Sequence, residues 1–152
     1  MTTTDRWILV AEDNENDEFL IRRALSEAGL SEHVIVAHDG LEVLDCLRRR
    51  GRFVDRPTGP PAVILMDERM PVMGGCEALR RIRADAKLRL VPVVMHSGAM
   101  SESEVEEAYE LGANGFVEKP ADYQEFRRIF MELGLYWGRV NVSPSRPLMA
   151  MA

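Results

Sequence analysis

Asp67 closes an apolar run, Ala62-Val63-Ile64-Leu65-Met66, and is followed by Glu68-Arg69-Met70-Pro71-Val72-Met73-Gly74-Gly75. A short apolar run ended by a turn reads as a buried parallel strand, and open α/β sheets bind ligands just beyond the carboxyl ends of such strands. Glu12 and Asp13 end another such run, Trp7 to Ala11. A fold that sets the two strands side by side therefore gathers three carboxylates. Their repulsion is relieved by a raised pKa or by a bound cation, and hard carboxylate oxygens suit Mg²⁺. Ser97 and Lys119 stand at the ends of two further runs, where a hydroxyl and an ammonium can hold an anion. Carboxylate, cation, hydroxyl and ammonium together suit phosphoryl transfer to Asp67, because Asp can act as a nucleophile and the equatorial phosphoryl oxygens need compensating charge.

The elements that must position these groups recur evenly. Strand-length apolar segments are Trp7 to Ala11, His33 to Ala37, Ala62 to Met66, Val91 to Met95 and Gly115 to Glu118. Helical spacing follows each: Ile21, Ala24, Leu25 and Ala28 before Gly29; Leu44 and Leu47; Gly75, Leu79, Ile82 and Ala86; Val105, Ala108, Tyr109 and Gly112; and Tyr123, Phe126, Phe130, Leu133 and Trp137. Strict alternation of strand and helix implies right-handed crossovers and a parallel sheet covered on both faces. The expected fold class is α/β, a flavodoxin-like doubly wound sheet of five parallel strands in the order 2-1-3-4-5 with five helices. The topological switch then lies between the strands that end near Asp13 and Asp67. Gly51 to Pro61, rich in Arg, Gly and Pro, reads as an extended surface connection. The expected domain spans 1–138, and 139–152 reads as a C-terminal tail, disordered or wrapped on a neighbour.

Composition narrows the classes. The chain has 152 residues, enough for one domain, with 46% hydrophobic and 29% charged residues and a formal net charge of -6. A field of that sign does not favour nucleic acid or an anionic membrane surface. No apolar run approaches the roughly 20 residues needed to span a bilayer, and no secretion signal opens the chain. Cys46 and Cys76 have neither a disulfide framework nor metal-type spacing, and within helical patterns they read as small buried hydrophobes in a reducing cytoplasm.

The sequence resembles the receiver domains of two-component response regulators through about Trp137. The resemblance rests on Glu12-Asp13, on Asp67-Glu68-Arg69-Met70-Pro71 with Gly75, on Ser97 after Pro92-Val93-Val94-Met95-His96, and on Gly115-Phe116-Val117-Glu118-Lys119-Pro120. It implies that Asp67 is the phosphoacceptor and that Glu12, Asp13, Asp67 and the backbone carbonyl of Arg69 hold Mg²⁺. It further implies that Ser97 and Lys119 bind the phosphoryl group, that Phe116 follows Ser97 as a switch aromatic, and that a sensor histidine kinase is the donor. Gly74 and His96 depart from the family pattern; an aliphatic residue is usual where His96 stands. The long loop before the third strand and the aromatic last helix resemble stand-alone receivers that serve bacterial phytochrome kinases.

Other readings fare less well. A calcium loop starting at Asp13 fails because Glu18 stands where Gly is needed and Ala24 where a bidentate Glu is needed. An Asp-nucleophile phosphohydrolase predicts a second Asp at the position of Arg69, and a dinucleotide enzyme needs glycines that Glu12-Asp13-Asn14-Glu15-Asn16 lacks. An unphosphorylated scaffold is an alternative that the intact site argues against. His33, His38 and His96 have no metal spacing and read as structural. The protein is thus expected to be a cytoplasmic phosphoacceptor signalling protein rather than an enzyme. Ile129, Leu135 and Tyr136 give the last helix apolar surface beyond one core stripe, consistent with a homodimer through the fourth helix, fifth strand and fifth helix.

Overall fold

The computed structural model of the chain describes residues 6–144. Its elements are β1 (Ile8–Ala11), α1 (Glu15–Glu27), β2 (Val34–Ala37), α2 (Gly40–Leu47), β3 (Val63–Asp67), α3 (Gly75–Ala84), β4 (Val93–Ser97), α4 (Glu102–Glu110), β5 (Gly115–Glu118) and α5 (Tyr123–Leu135). The strands form one parallel sheet in the order β2-β1-β3-β4-β5, the arrangement expected from the alternating pattern.

Alternation along the strands divides the core in two. From β1 and its lead-in, Trp7, Leu9 and Ala11 enter a layer with Leu44 of α2 and Leu79 and Ile82 of α3. Ile8 and Val10 face the opposite layer, with Ile21 and Leu25 of α1 and Phe126 and Phe130 of α5. The central strands are buried on both faces, which is why they read as continuous apolar runs. Helix starts are set by side chains that accept from backbone amides: Asn14 for α1, Asp39 for α2, Ser101 with Glu104 as a capping box for α4, and Asp122 for α5.

Three expectations need adjustment. β4 starts at Val93 and runs through Ser97, because Pro92 has no amide to offer the ladder. The connection from Gly51 to Pro61 is pinned rather than extended. A 3₁₀ turn, Gly51–Phe53, buries Phe53. Arg56 donates from Nε to the Cys46 carbonyl at 2.6 Å and from Nη2 to that of Leu47 at 3.0 Å. Finally, α5 continues as a π-helical turn, Tyr136–Val140, across the expected boundary at 138. Arg6 Nη2 donates to the carbonyls of Trp137 at 3.0 Å and Asn141 at 2.9 Å, fastening this turn to the start of β1. The remainder of the expected tail, 145–152, lies outside the described residues. Among the described residues no helix is long and apolar enough to cross a membrane.

Candidate functional site

The carboxyl ends of β1, β3, β4 and β5 meet above the sheet. On the α1/α5 side the alternation Ile8, Val10 continues to Glu12, and Val63, Leu65 continues to Asp67. Val94 leads likewise to His96, and Val117 to Lys119. Pairing of Ala11 with Met66 and of Asp67 with His96 sets these positions abreast. Period-two alternation combined with in-register strands thus brings four polar side chains to one place.

Glu12 is fully buried and Asp67 is 5% exposed. Lys119 Nζ donates to Glu12 Oε1 at 3.0 Å and to Asp17 Oδ2 at 2.8 Å, and lies 3.5 Å from Asp67 Oδ1. Its backbone is fixed to β4 by a hydrogen bond from its amide to the Ser97 carbonyl at 2.8 Å. Glu12 Oε2 accepts from the Asn14 amide at 3.1 Å. Burial, reinforced by the neighbouring Asp67 charge and offset by Lys119, pushes the Glu12 carboxyl up to about 7. Burial also raises Asp67, with Lys119 pulling it back down and the charge of Asp13 adding to the rise. Asp13 itself is exposed. Burial thus favours the protonated form of both carboxyls, and their hard oxygens fit a divalent ion such as Mg²⁺.

Gly75 opens α3 directly against β3. A Cβ there would collide with the Asp67 carbonyl and lie 2.8 Å from Met95 Cε, so this glycine permits the close approach that shapes the loop after Asp67.

Ser97 and Phe116 belong to the other face. Ser97 Oγ donates to the Ala99 carbonyl at 2.9 Å and is turned into its own following loop. Half-buried Phe116 packs on the layer containing Leu79 and Ile82. The Arg69 side chain is engaged by the start of α4, its Nη2 donating to the Ala99 carbonyl at 2.9 Å and to Glu104 Oε2 at 3.0 Å. The structure therefore gathers Glu12, Asp67 and Lys119 closely, with the Asp13 charge acting on Asp67, and leaves the side chains of Ser97 and Phe116 on the other face.

Two residues join the site that sequence reasoning did not place there. Asp17, one turn into α1, is the shortest partner of Lys119. His96 is wholly buried, with Nδ1 3.9 Å from Asp67 Oδ1 and 4.0 Å from Glu12 Oε1. Among the described residues neither ring nitrogen has a hydrogen-bond partner, and burial followed by the Lys119 charge pushes its pKa down to about 3. The neutral ring stands edge-to-face on Phe130 of α5, centroids 5.3 Å apart. A polar residue inside the run Val93-Val94-Met95-His96 was the available signal.

A doubly wound five-stranded sheet with clustered acids at its switch point and a lysine just beyond β5 is the arrangement of a receiver-type signalling domain. The chain belongs to the response regulator receiver domain family, whose match covers residues 8–130. Among solved structures, it resembles the phosphorylated cyanobacterial phytochrome response regulator RcpA at 29% identity, with TM-score 0.83 over 91% of this chain and 98% of that one. Response regulator Rcp1 of Synechocystis is 27% identical over 130 residues, covering 86% of this chain and 87% of that protein. A Mn²⁺-bound structure of Rcp1 superposes with TM-score 0.82 at 26% identity, over 91% and 99% of the two chains. The bacteriophytochrome response regulator RtBRR is 41% identical, with TM-score 0.71 over 91% of this chain and 84% of that one.

Proposed function

We propose that this protein is a phosphorylation-driven switch in which Asp67 accepts a phosphoryl group from a partner histidine kinase. The observation that carries the reading is the placement of Asp67, nearly buried at the end of β3 with Lys119 Nζ 3.5 Å from its Oδ1. In the transfer an Asp67 carboxylate oxygen forms a bond to phosphorus as the bond from phosphorus to the donor's histidine nitrogen breaks, and that nitrogen leaves with the electron pair. Glu12, Asp13, Asp67 and the Arg69 carbonyl would hold Mg²⁺, which offsets charge on the phosphoryl oxygens. Lys119 supplies a second positive charge from the β5 side. Ser97 Oγ exchanges its bond to the Ala99 carbonyl for one to the phosphoryl group, and Phe116 moves inward behind it. The product is the altered protein itself, so the role is signalling rather than turnover.

The altered surface is the α4-β5-α5 face, and the output is protein binding, with a homodimer through that face as its form. Exposed Tyr123, Leu135 and Tyr136 on and after α5 support an interface there. Likeness to RcpA and RtBRR, whose own descriptions are of phytochrome response regulators, supports a bacteriophytochrome as the kinase and the cytoplasm as the compartment. Incubation with acetyl phosphate and Mg²⁺ followed by intact mass measurement tests the central step. One added phosphoryl group, absent in Asp67→Asn, is expected; no uptake at any Mg²⁺ concentration would overturn it.

A further inference from the structure

The ammonium of Lys119 is shared unevenly among its three carboxylate neighbours. Its shortest contact is not with the sheet but with Asp17 Oδ2 on α1, at 2.8 Å, against 3.0 Å to Glu12 Oε1 and 3.5 Å to Asp67 Oδ1. The Lys119 side chain is 9% exposed and that of Asp17 27%, so the pair is partly withdrawn from screening solvent. Local structure enforces the contact. Asn14 Oδ1 accepts from the Asp17 amide at 2.9 Å, and this cap fixes the helical phase that turns Asp17 toward β5. On the other side, the Lys119 backbone is tied to Ser97 and followed by Pro120, leaving only the side chain free to choose between partners.

We propose that Asp17 is a positioning residue acting through Lys119: it holds the ammonium toward α1 and competes for it with the phosphoryl group on Asp67. The inference deepens the phosphoacceptor reading above and rests on it. An ammonium has three donor hydrogens, and Asp17 and Glu12 already take two. Nζ stands 3.5 Å from Asp67 Oδ1, so a phosphoryl group on Asp67 draws the ammonium toward β3 against the pull of Asp17 at 2.8 Å. The Asp17 carboxylate, left at the rim, also repels the incoming negative charge. Both effects disfavour the phosphorylated arrangement, so Asp17 sets how readily the site gives up its resting state. A carboxylate whose only task was to keep Lys119 in place would instead favour the phosphorylated arrangement, and its loss would weaken it.

The two accounts differ in sign, and beryllofluoride, a stable phosphoryl mimic, separates them. Its affinity for the full chain is measured by titration calorimetry in saturating Mg²⁺ for the wild type, Asp17→Asn, Asp17→Ala and Asp17→Glu. Removing a competing ion pair of this exposure should tighten binding about fivefold in both neutral variants. Asp17→Glu, which restores the charge, should return the affinity to that of the wild type. Unchanged or weaker binding in Asp17→Asn and Asp17→Ala overturns the inference while leaving Asp67 as phosphoacceptor. Absence of beryllofluoride binding by the wild type itself would overturn the phosphoacceptor reading, and this inference with it.

Discussion

Glu12→Gln should make the metal-free protein more stable at pH 8, although it removes a buried hydrogen-bonded carboxylate. Glu12 is fully buried, and burial together with the charge of Asp67 raises its carboxyl from an ordinary 4.5 to about 7. A carboxyl with a higher pKa folded than unfolded binds its proton more tightly in the folded state. Its stabilising contribution is whole below about pH 4.5 and is lost as pH climbs through about 7. The rise corresponds to about 3 kcal/mol at full ionisation. Gln keeps the size and an acceptor for Lys119 but never ionises. Any fixed cost of the substitution appears equally at all pH values, so the informative quantity is the change in the difference between the two proteins. Urea unfolding in EDTA, from pH 4 to pH 8.5, should show the wild type losing about 3 kcal/mol relative to Glu12→Gln. Saturating Mg²⁺ should restore most of that loss in the wild type by binding the folded state. Parallel stability profiles for the two proteins across the range would refute the reasoning, because Glu12 would then not be carrying a charge held against its environment.

Further outcomes follow from packing. Phe130→Ala removes a fully buried ring that bridges His96 and Phe126. It should cost about 3–5 kcal/mol in denaturant unfolding, whereas a loss under about 1 kcal/mol would mean that α5 does not depend on this contact. Gly75→Ala places a methyl group against the Asp67 carbonyl and Met95. A loss of about 1–3 kcal/mol is expected, accompanied by slower uptake from acetyl phosphate as the loop after β3 shifts. Unchanged stability and uptake would show that α3 can move away without disturbing Asp67.

The strands and their order were legible because a parallel sheet covered on both faces demands continuous apolar runs, and its crossovers demand helices between them. The ends of those runs carried Glu12, Asp67 and Lys119, so the charged cluster that the structure gathers was legible too. Less accessible was the division of labour within it. Glu12 and Asp13 read as an equivalent pair, yet Glu12 continues the parity of Ile8 and Val10 and is buried, while Asp13 is exposed. The anchoring of the Gly51 to Pro61 segment by Arg56 was hidden because a guanidinium reaching back to the carbonyls of Cys46 and Leu47 leaves no compositional trace.

The places of His96 and Asp17 beside the acidic cluster were hidden in the sequence for different physical reasons. In a strand buried on both sides, composition does not say which face a residue takes, so the site face of β4 emerges only when Val94 and His96 are followed together against Phe130. Parity applied to each strand from its end would have put His96 beside Glu12 and Asp67. Asp17 required the phase of α1, which is fixed by the Asn14 cap, and one residue of phase error rotates its carboxylate by about 100°. Site chemistry in this fold is thus specified twice, by strand parity for the groups rising from the sheet and by helix capping for the group that faces them. The second specification is the one that gives Lys119 an alternative to Asp67.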